Sequence, residues 1–359
     1  MSQLSSRQFV IILIVTLAVF TLFHGLVWQL CTKHIFANEQ AIGGLAKMSY
    51  KIDSLLPRFN EVTVDKQHIK FNEYAGQKLD AITIGDSFSN AGGGGENPYY
   101  QDVLTDISGL KVLNIPQFSG TKGYIETVAM LANSGFLQDK GVHHVIVESV
   151  QREVIPRFNR NLDLSISREV NLDNNYQIKS KAKYCRSVAP PQFVNNRNYN
   201  AVKYNLLYHF DDHAYSSQCY RLTLSQNLFS SRNKRQLLGF YHDLTRLELE
   251  SLEAIQQVNA NLNQLAQLLA KQGIKLYFMP AVDKYTLYYD YIIDNPYPQS
   301  QLFEWFRQLD KQYIFIDTKQ ILQSELDKGV TDIYYPDDTH WSSYARGKVV
   351  ESMVKNEFN

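Results

Sequence analysis

Two short segments near opposite ends of the 359-residue chain carry side chains that could together activate a hydroxyl group. The first is Gly85-Asp86-Ser87, which directly follows the apolar run 81–84. This order places Ser87 at the carboxyl end of a predicted core strand, where open α/β sheets bind ligands. Serine is a weak nucleophile and needs a neighbouring base to take its proton. The position after a strand carries the prediction, since the tripeptide alone is common.

The second segment, YPDDTHW at positions 335–341, supplies the base. A carboxylate two or three residues before a histidine can fix the imidazole tautomer, which leaves the other ring nitrogen free to take a proton from serine. Both Asp337 and Asp338 have a suitable spacing to His340. Either could also cap a helix over 342–350, and the two roles are compatible. Together the two segments predict a Ser–His–Asp site that could activate the serine hydroxyl.

The composition excludes several other classes of protein. Lys plus Arg (36) equals Asp plus Glu (36), which argues against a nucleic-acid partner. A hydrophobic content of 44% excludes a disordered chain. Three cysteines are too few for a disulfide scaffold and show no Cys-x-x-Cys pattern. We expect no metal and no cofactor. A disulfide between Cys185 and Cys219 stays open.

The N-terminal segment predicts a membrane anchor. Phe9 to Leu30 contains no formally charged residue, and at 1.5 Å per residue it spans the roughly 30 Å hydrocarbon core. A signal peptide has a shorter apolar region of about 7–15 residues. We therefore expect a cytoplasmic stub and single-pass inner-membrane anchor over 1–36. Residues 37–359 would form a catalytic domain in the periplasm or otherwise outside the cytoplasm.

Beyond the anchor, short apolar runs alternate with helical patterns over 123–133 and 243–271. This alternation predicts a three-layer α/β/α domain of the doubly wound kind, with a mostly parallel sheet. The segment 151–242 breaks the rhythm and is interpreted as an irregular insertion. Between 152 and 203 it carries ten Lys/Arg and four Asp/Glu, which could attract an anionic polymer or simply form a solvated surface. The predicted strands are 81–84, 111–115, 143–147, 274–279 and 312–316.

Taken together, the two motifs resemble those of the SGNH (GDSL-type) hydrolase superfamily. The form Asp-Thr-His-Trp at 338–341 is similar to its alginate O-acetyltransferase-like branch, and so is YFMPAVDKY at 277–285. The resemblance covers roughly 78–150 and 272–350. It implies an SGNH-like fold and a periplasmic protein tethered by one N-terminal helix that acetylates exopolysaccharide hydroxyls. Similar anchored proteins modify peptidoglycan or teichoic acids.

The resemblance also implies roles for individual residues. Ser87 would be the nucleophile and His340 the general base. Asp338 matches the spacing of the acetyltransferase branch and Asp337 that of the wider superfamily, and we prefer Asp338. The backbone N–H of Ser87 would be one oxyanion donor. Asn114 with Gly120 stands where the superfamily supplies a second.

The third oxyanion donor of the superfamily, an asparagine in a Gly-x-Asn-Asp block, is missing from this sequence. Arg152 follows the third predicted strand instead. It could act as a positive group near the oxyanion, or it could form a salt bridge with Glu148 or Glu153. This departure puts plain hydrolase activity in doubt.

Three other features have two interpretations each. Lys284 follows a strand end and could reach substrate or anchor its loop. Five tyrosines could stack on sugar rings, although core packing is the more common role of such residues. Gly92–Gly95 is interpreted as a flexible lip beside Ser87, since no Lys-Ser/Thr follows it as in a phosphate loop. The tyrosines are Tyr285, Tyr288, Tyr289, Tyr291 and Tyr297.

With the Ser–His–Asp motifs, the resemblance implies a two-step transfer of acetyl through an acyl-serine to a polysaccharide hydroxyl. By resemblance, a multi-spanning membrane acyltransferase would supply the acetyl group. An esterase of the same fold is the first alternative, because water can replace the sugar hydroxyl. A non-catalytic polysaccharide-binding assembly subunit is the second.

Overall fold

The computed structural model describes residues 5–37, 41–58, 63–168 and 192–357. Six strands form a parallel sheet in the order β1-β3-β2-β4-β7-β8, and β5 and β6 form a separate antiparallel pair. The strands are β1 Ile69–Lys70, β2 Ala81–Ile84, β3 Val112–Ile115, β4 His144–Val150, β5 Cys219–Thr223, β6 Gln236–Phe240, β7 Lys275–Ala281 and β8 Ile314–Phe315. The expected α/β class with a parallel sheet is confirmed.

Helices flank this sheet and connect its strands. The α-helices are α1 Ser6–Val27, α2 Lys33–Phe36, α3 Gly44–Ser49, α4 Tyr100–Ser108, α5 Tyr124–Asn133, α6 Phe136–Lys140, α7 Val154–Phe158, α8 Asn196–Leu207, α9 Tyr241–Thr245, α10 Leu252–Ala270, α11 Lys284–Tyr288, α12 Leu302–Gln308, α13 Thr318–Asp327 and α14 Ser343–Glu357.

The central strands are apolar because helices cover both faces of the sheet. All four residues of β2 are fully buried. In register, Ile84 pairs with Ile115 of β3 and with Val147 of β4, so the carboxyl ends of β2 and β3 meet at one edge. The Gly85-Asp86-Ser87 turn leaves the sheet at this edge, as the sequence predicts.

The sequence suggested a continuous helical segment over 243–271, but the structure has two separate α-helices there. The segment is interrupted between α9 and α10, where the Ser251 side chain accepts a hydrogen bond from the backbone of Ala254 and caps α10. Within α10, the residues facing the sheet have no exposed surface; they are Ile255, Val258, Leu262, Leu265 and Leu269.

The segment interpreted as an insertion, 151–242, contains α7, α8 and the β5–β6 pair. Its residues 169–191, which include Cys185, lie outside the described residues. Cys219 on β5 is a buried free thiol that donates to the Leu45 carbonyl at 3.5 Å.

The N-terminal residues Ser6–Phe36 form a 31-residue helical stretch made of α1, a π-helical turn over Trp28–Thr32 and α2. Its most apolar window has a mean hydropathy of 2.7, and 6% of that window is buried. The stretch is long and apolar enough to cross a membrane, and a membrane anchor and a signal sequence both fit it.

Candidate active site

Ser87, His340 and Asp338 lie within hydrogen-bond distance of one another. Ser87 is exposed on the turn after β2, and its Oγ is 2.7 Å from Nε2 of His340. Nδ1 of His340 is 2.6 Å from Oδ1 of Asp338. With Nδ1–H donating to the carboxylate, Nε2 is free to accept the serine proton. The arrangement can therefore generate a nucleophilic alkoxide.

The Asp338 carboxylate is held in its ionised form. Its Oδ2 accepts the backbone N–H of Gly44 at 2.9 Å, and Arg58 lies 3.8 Å away. Burial alone would raise the pKa of Asp338. The hydrogen bond and charge of His340, the charge of Arg58 and the backbone hydrogen bond from Gly44 together lower it. A carboxylate that stays charged can orient the imidazole and stabilise it when it becomes positive.

Asp337, the alternative partner for the histidine, is bound elsewhere. Its fully buried carboxylate accepts two hydrogen bonds from Arg58, at 3.0 and 2.9 Å, and one from the backbone N–H of Gly43 at 3.0 Å. The guanidinium of Arg58 also lies over the ring of Tyr335. Asp337 thus ties the histidine loop to residues that follow the N-terminal helix.

Sequence reasoning missed Gly43, Gly44 and Arg58 as parts of the site. Gly43 and Gly44 lie 294 residues before the carboxylates that they contact. A Cβ on Gly43 would lie 1.9 Å from the carbonyl oxygen of Asp337, so this position has no room for a side chain. The Gly-Gly pair was the only local signal, and nothing in its spacing indicates its partner.

Asp86 braces the nucleophile turn. Its carboxylate accepts the backbone N–H groups of Phe88 at 3.2 Å and of Val150 at 2.8 Å, and it pairs with Arg157. Burial opposes its ionisation, but Arg157 and these hydrogen bonds hold the pKa of Asp86 below its ordinary value. The turn is thereby attached to the end of β4.

Glu148 lies beneath the same turn and has no exposed surface. Its Oε2 accepts hydrogen bonds from the backbone of Asp86 at 3.0 Å and from Ser89 Oγ at 2.7 Å. Burial, together with the charge of Asp86, raises the pKa of Glu148 well above its ordinary value. These surroundings favour the protonated form of Glu148, whose carboxyl group supports the turn.

The two further oxyanion candidates occupy different surroundings. Both amide hydrogens of Asn114 are engaged, by the Ser89 carbonyl at 3.0 Å and by Asn90 Oδ1 at 3.1 Å. Its side chain therefore holds the segment after Ser87 in place. Gly120 has a φ of 85° and faces the Arg168 side chain. No described residue accepts a hydrogen bond from the backbone N–H of Ser87. Of the candidate oxyanion donors, this N–H remains the one closest to the nucleophile.

Arg152 does not stand free near an oxyanion. Its guanidinium pairs with Asp243, at 3.0 Å, and with Asp283, and it lies over the Phe240 ring. The alternative expectation, a salt bridge from Arg152 to Glu148 or Glu153, is also wrong, because the partners are Asp243 and Asp283. Arg152 joins the start of the α9 region to the end of β7, because two buried carboxylates need a cation between them.

Lys284 anchors the histidine loop. Its buried ammonium donates to the backbone carbonyls of Tyr335 and Pro336, both at 2.9 Å, and of Asp338 at 3.2 Å. Burial lowers the pKa of Lys284 to about 8, against the opposing charges of Asp337 and Asp338. Of the two roles proposed from the sequence, the structure shows the anchoring one.

The glycine loop packs against the base. A Cβ on Gly92 would lie 2.2 Å from His340 Nε2, and the Gly92 N–H donates to the Ser87 carbonyl at 2.7 Å. The next three glycines all have positive φ, which side chains rarely adopt. The loop therefore borders the Ser–His pair, as the sequence suggested. Of the five tyrosines, Tyr285 and Tyr288 are fully buried, which fits core packing.

A parallel α/β sheet with serine, histidine and aspartate gathered beyond one strand end is the architecture of SGNH hydrolase-like domains. Residues 240–351 match the family model of the SGNH hydrolase-like domain of the acetyltransferase AlgX. The matched region contains Lys284, Asp338 and His340, whereas Ser87 precedes it. The match supports an O-acetyltransferase or esterase type of function. No curated protein matches the chain.

Proposed function

We propose that this protein is a membrane-anchored, extracytoplasmic O-acetyltransferase. It would move acetyl through an acyl-Ser87 intermediate onto hydroxyl groups of an exopolysaccharide or cell-wall glycan. The observation that carries the proposal is the 2.7 Å approach of Ser87 Oγ to His340 Nε2, with Asp338 bound to the other ring nitrogen.

In the first step, His340 Nε2 takes the proton of Ser87 Oγ while Oγ bonds to the acetyl carbonyl carbon. The bond between that carbon and the donor's leaving atom then breaks, and His340 returns the proton to the leaving group. The backbone N–H of Ser87 would stabilise the charge that develops on the carbonyl oxygen, as the resemblance implies. Asp338 stays ionised throughout and stabilises the imidazolium.

In the second step, His340 takes the proton of an acceptor hydroxyl, whose oxygen attacks the acyl carbon. The bond from that carbon to Ser87 Oγ breaks, and Oγ recovers its proton from His340. The exposure of Ser87 gives a polymer chain access to the acyl group. The same exposure admits water, which favours the esterase as second candidate.

The acyl donor is proposed to be a multi-spanning membrane acyltransferase, as the family resemblance implies. The apolar N-terminal helix supports this arrangement because it would keep Ser87 next to a partner in the bilayer. The glycan acceptor rests on the same resemblance. A non-catalytic assembly subunit would have no need of a hydrogen-bonded Ser–His pair.

The test uses the full chain in detergent micelles with an activated acetyl ester. Intact mass and ester turnover are recorded for wild type, Ser87→Ala and His340→Ala, with Ser324→Ala as the matched serine control. We expect an acetyl-sized mass gain in wild type and in the control, absent in Ser87→Ala. Candidate oligosaccharides then separate transfer from hydrolysis by product analysis. A wild type with neither adduct nor turnover would overturn a serine acyl-enzyme.

A further inference from the structure

Helix α8 presents an apolar face that no described residue covers. Tyr199, Val202 and Leu206 recur on one side of the helix, and Phe210 continues that side just beyond its end. Their exposed fractions are 64%, 44%, 57% and 71%, respectively. Spacings of three and four residues place these side chains on a single stripe. Large side chains exposed together mark an interaction surface.

The opposite face of α8 packs against the end of the apolar N-terminal helix. Ala201 is buried with Ile35, and the Tyr204 ring stacks on Tyr50 with centroids 5.8 Å apart. The amide of Asn198 lies 2.9 Å from Nδ1 of His24 and is buried. These contacts fix α8 beside the C-terminal part of α1.

The level of this attachment matches the edge of a bilayer. Trp28 lies nineteen positions after Phe9, which corresponds to about 28 Å of helix at 1.5 Å per residue. That length is close to the roughly 30 Å hydrocarbon core. If α1 crosses the membrane from Phe9, the hydrocarbon ends near Trp28, which lies between the residues His24 and Ile35 that α8 contacts.

The charges on this segment suit a lipid surface. From 192 to 210 the chain contains no aspartate or glutamate, but it contains Arg197, Lys203 and His209. Lys203 is exposed, and Arg197 is partly exposed beside the ring of Phe36. Basic residues with aromatic and aliphatic ones on the same short helix are typical of interfacial helices.

We propose that α8 is an interfacial helix that lies in the outer leaflet of the membrane crossed by α1. Its apolar stripe (Tyr199, Val202, Leu206 and Phe210) enters the boundary between headgroups and acyl chains, and Lys203 contacts anionic headgroups. This inference rests on the anchor in the proposed function. Attachment at both α1 and α8 restricts tilting of the catalytic domain about the anchor.

The experiment uses the full chain in liposomes of phosphatidylcholine and phosphatidylglycerol. A photoreactive benzophenone amino acid replaces Phe210 in one variant and, as a control, the exposed Tyr344 on α14 in another. Both substitutions are at exposed aromatic positions, so folding should be retained. After illumination, mass spectrometry should show a lipid adduct at position 210, at least ten times more abundant than at position 344.

Equal lipid labelling at the two positions would overturn the proposal. A cross-linked dimer through position 210, without lipid adduct, would also overturn it in favour of self-association. Alkaline extraction of the same liposomes tests the anchor separately, since a protein lacking a membrane span is released. The acyl-serine measurement in detergent needs no lipid contact from α8, so a failure there is distinguishable.

Discussion

The backbone N–H of Gly44 donates to Oδ2 of Asp338 at 2.9 Å, while the other oxygen of that carboxylate holds His340. The residues that directly follow the N-terminal helix therefore belong to the candidate active site. Gly43 and Arg58 add three further hydrogen bonds to Asp337. The geometry of the candidate site and the segment that follows the N-terminal helix therefore form one structural unit.

Replacing Asp338 and Asp337 separately should distinguish their roles. Asp338→Asn removes the charge beside the imidazole and disturbs its tautomer, so we expect ester turnover to fall about 10³-fold or more. Asp337→Asn should leave most turnover but lower stability, because it removes the charge of the carboxylate that accepts two hydrogen bonds from the buried Arg58. Turnover and denaturant unfolding of both variants check this. Equal turnover losses would contradict the assignment.

Arg58→Met should destabilise the fold by about 3–5 kcal/mol, since it leaves the Asp337 carboxylate buried without its cation. The double variant Arg58→Met/Asp337→Leu should recover part of that loss, because neither charge then remains. Urea unfolding of the wild type, both single variants and the double variant closes the cycle. If the double variant is no more stable than Arg58→Met alone, the ion pair is not the cause.

Gly92→Ala should lower ester turnover by about 10²-fold. Some loss of stability is expected as well, because the added methyl would also lie 2.5 Å from the backbone carbonyl oxygen of Ser87. The added methyl would lie 2.2 Å from His340 Nε2, so either the imidazole or the loop must shift. A shift of about 1 Å at the reacting groups costs on the order of 10²-fold in rate. Gly347→Ala on α14 is the matched control, since nothing lies within 4 Å of its Cβ. Full turnover in Gly92→Ala would contradict this packing.

Glu148→Gln should change how stability depends on pH. The pKa of Glu148 is raised above its ordinary value of 4.5, so between 4.5 and the raised value the folded state retains a proton that the unfolded state releases. Wild-type stability therefore falls with rising pH in that window, by up to about 1.4 kcal/mol per unit. The glutamine variant lacks this loss.

Unfolding at pH 4, 6 and 8 measures that effect. The stability of Glu148→Gln relative to wild type should rise from pH 4 to pH 8. The exposed Glu248→Gln serves as the control for loss of a carboxylate. A relative stability that is constant over this range would show that Glu148 is ionised in the folded protein.

The sequence predicted those parts of the site whose geometry is local. Ser87 follows a buried strand, and Asp338 is two residues from His340, so strand periodicity and short spacing were sufficient. The roles of two arginines could not be predicted from the sequence. Arg58 and Arg152 find carboxylate partners from distant segments, and spacing along the chain carries no information about which acid a cation meets.

The secondary-structure elements likewise were predicted only where the sequence carries a local signal. Apolar periodicity located α10, but it continued across the break near Ser251, because the residues before the cap also include leucines. The β5–β6 pair was not anticipated, since the segment around it lacks a clear period. Its position depends on contacts with α3, which the sequence does not display.

The placement of Gly44 has a consequence for how this protein could be recombined with others. The region matched by the family model, 240–351, carries the histidine and its carboxylate, Asp338. Yet the groups that hold Asp338 and the neighbouring Asp337 come from residues 43–58. A chimaera that transfers only the matched region onto another scaffold would leave the histidine loop without its N-terminal support. The transferable unit begins at the end of the N-terminal helix, well before the recognisable domain.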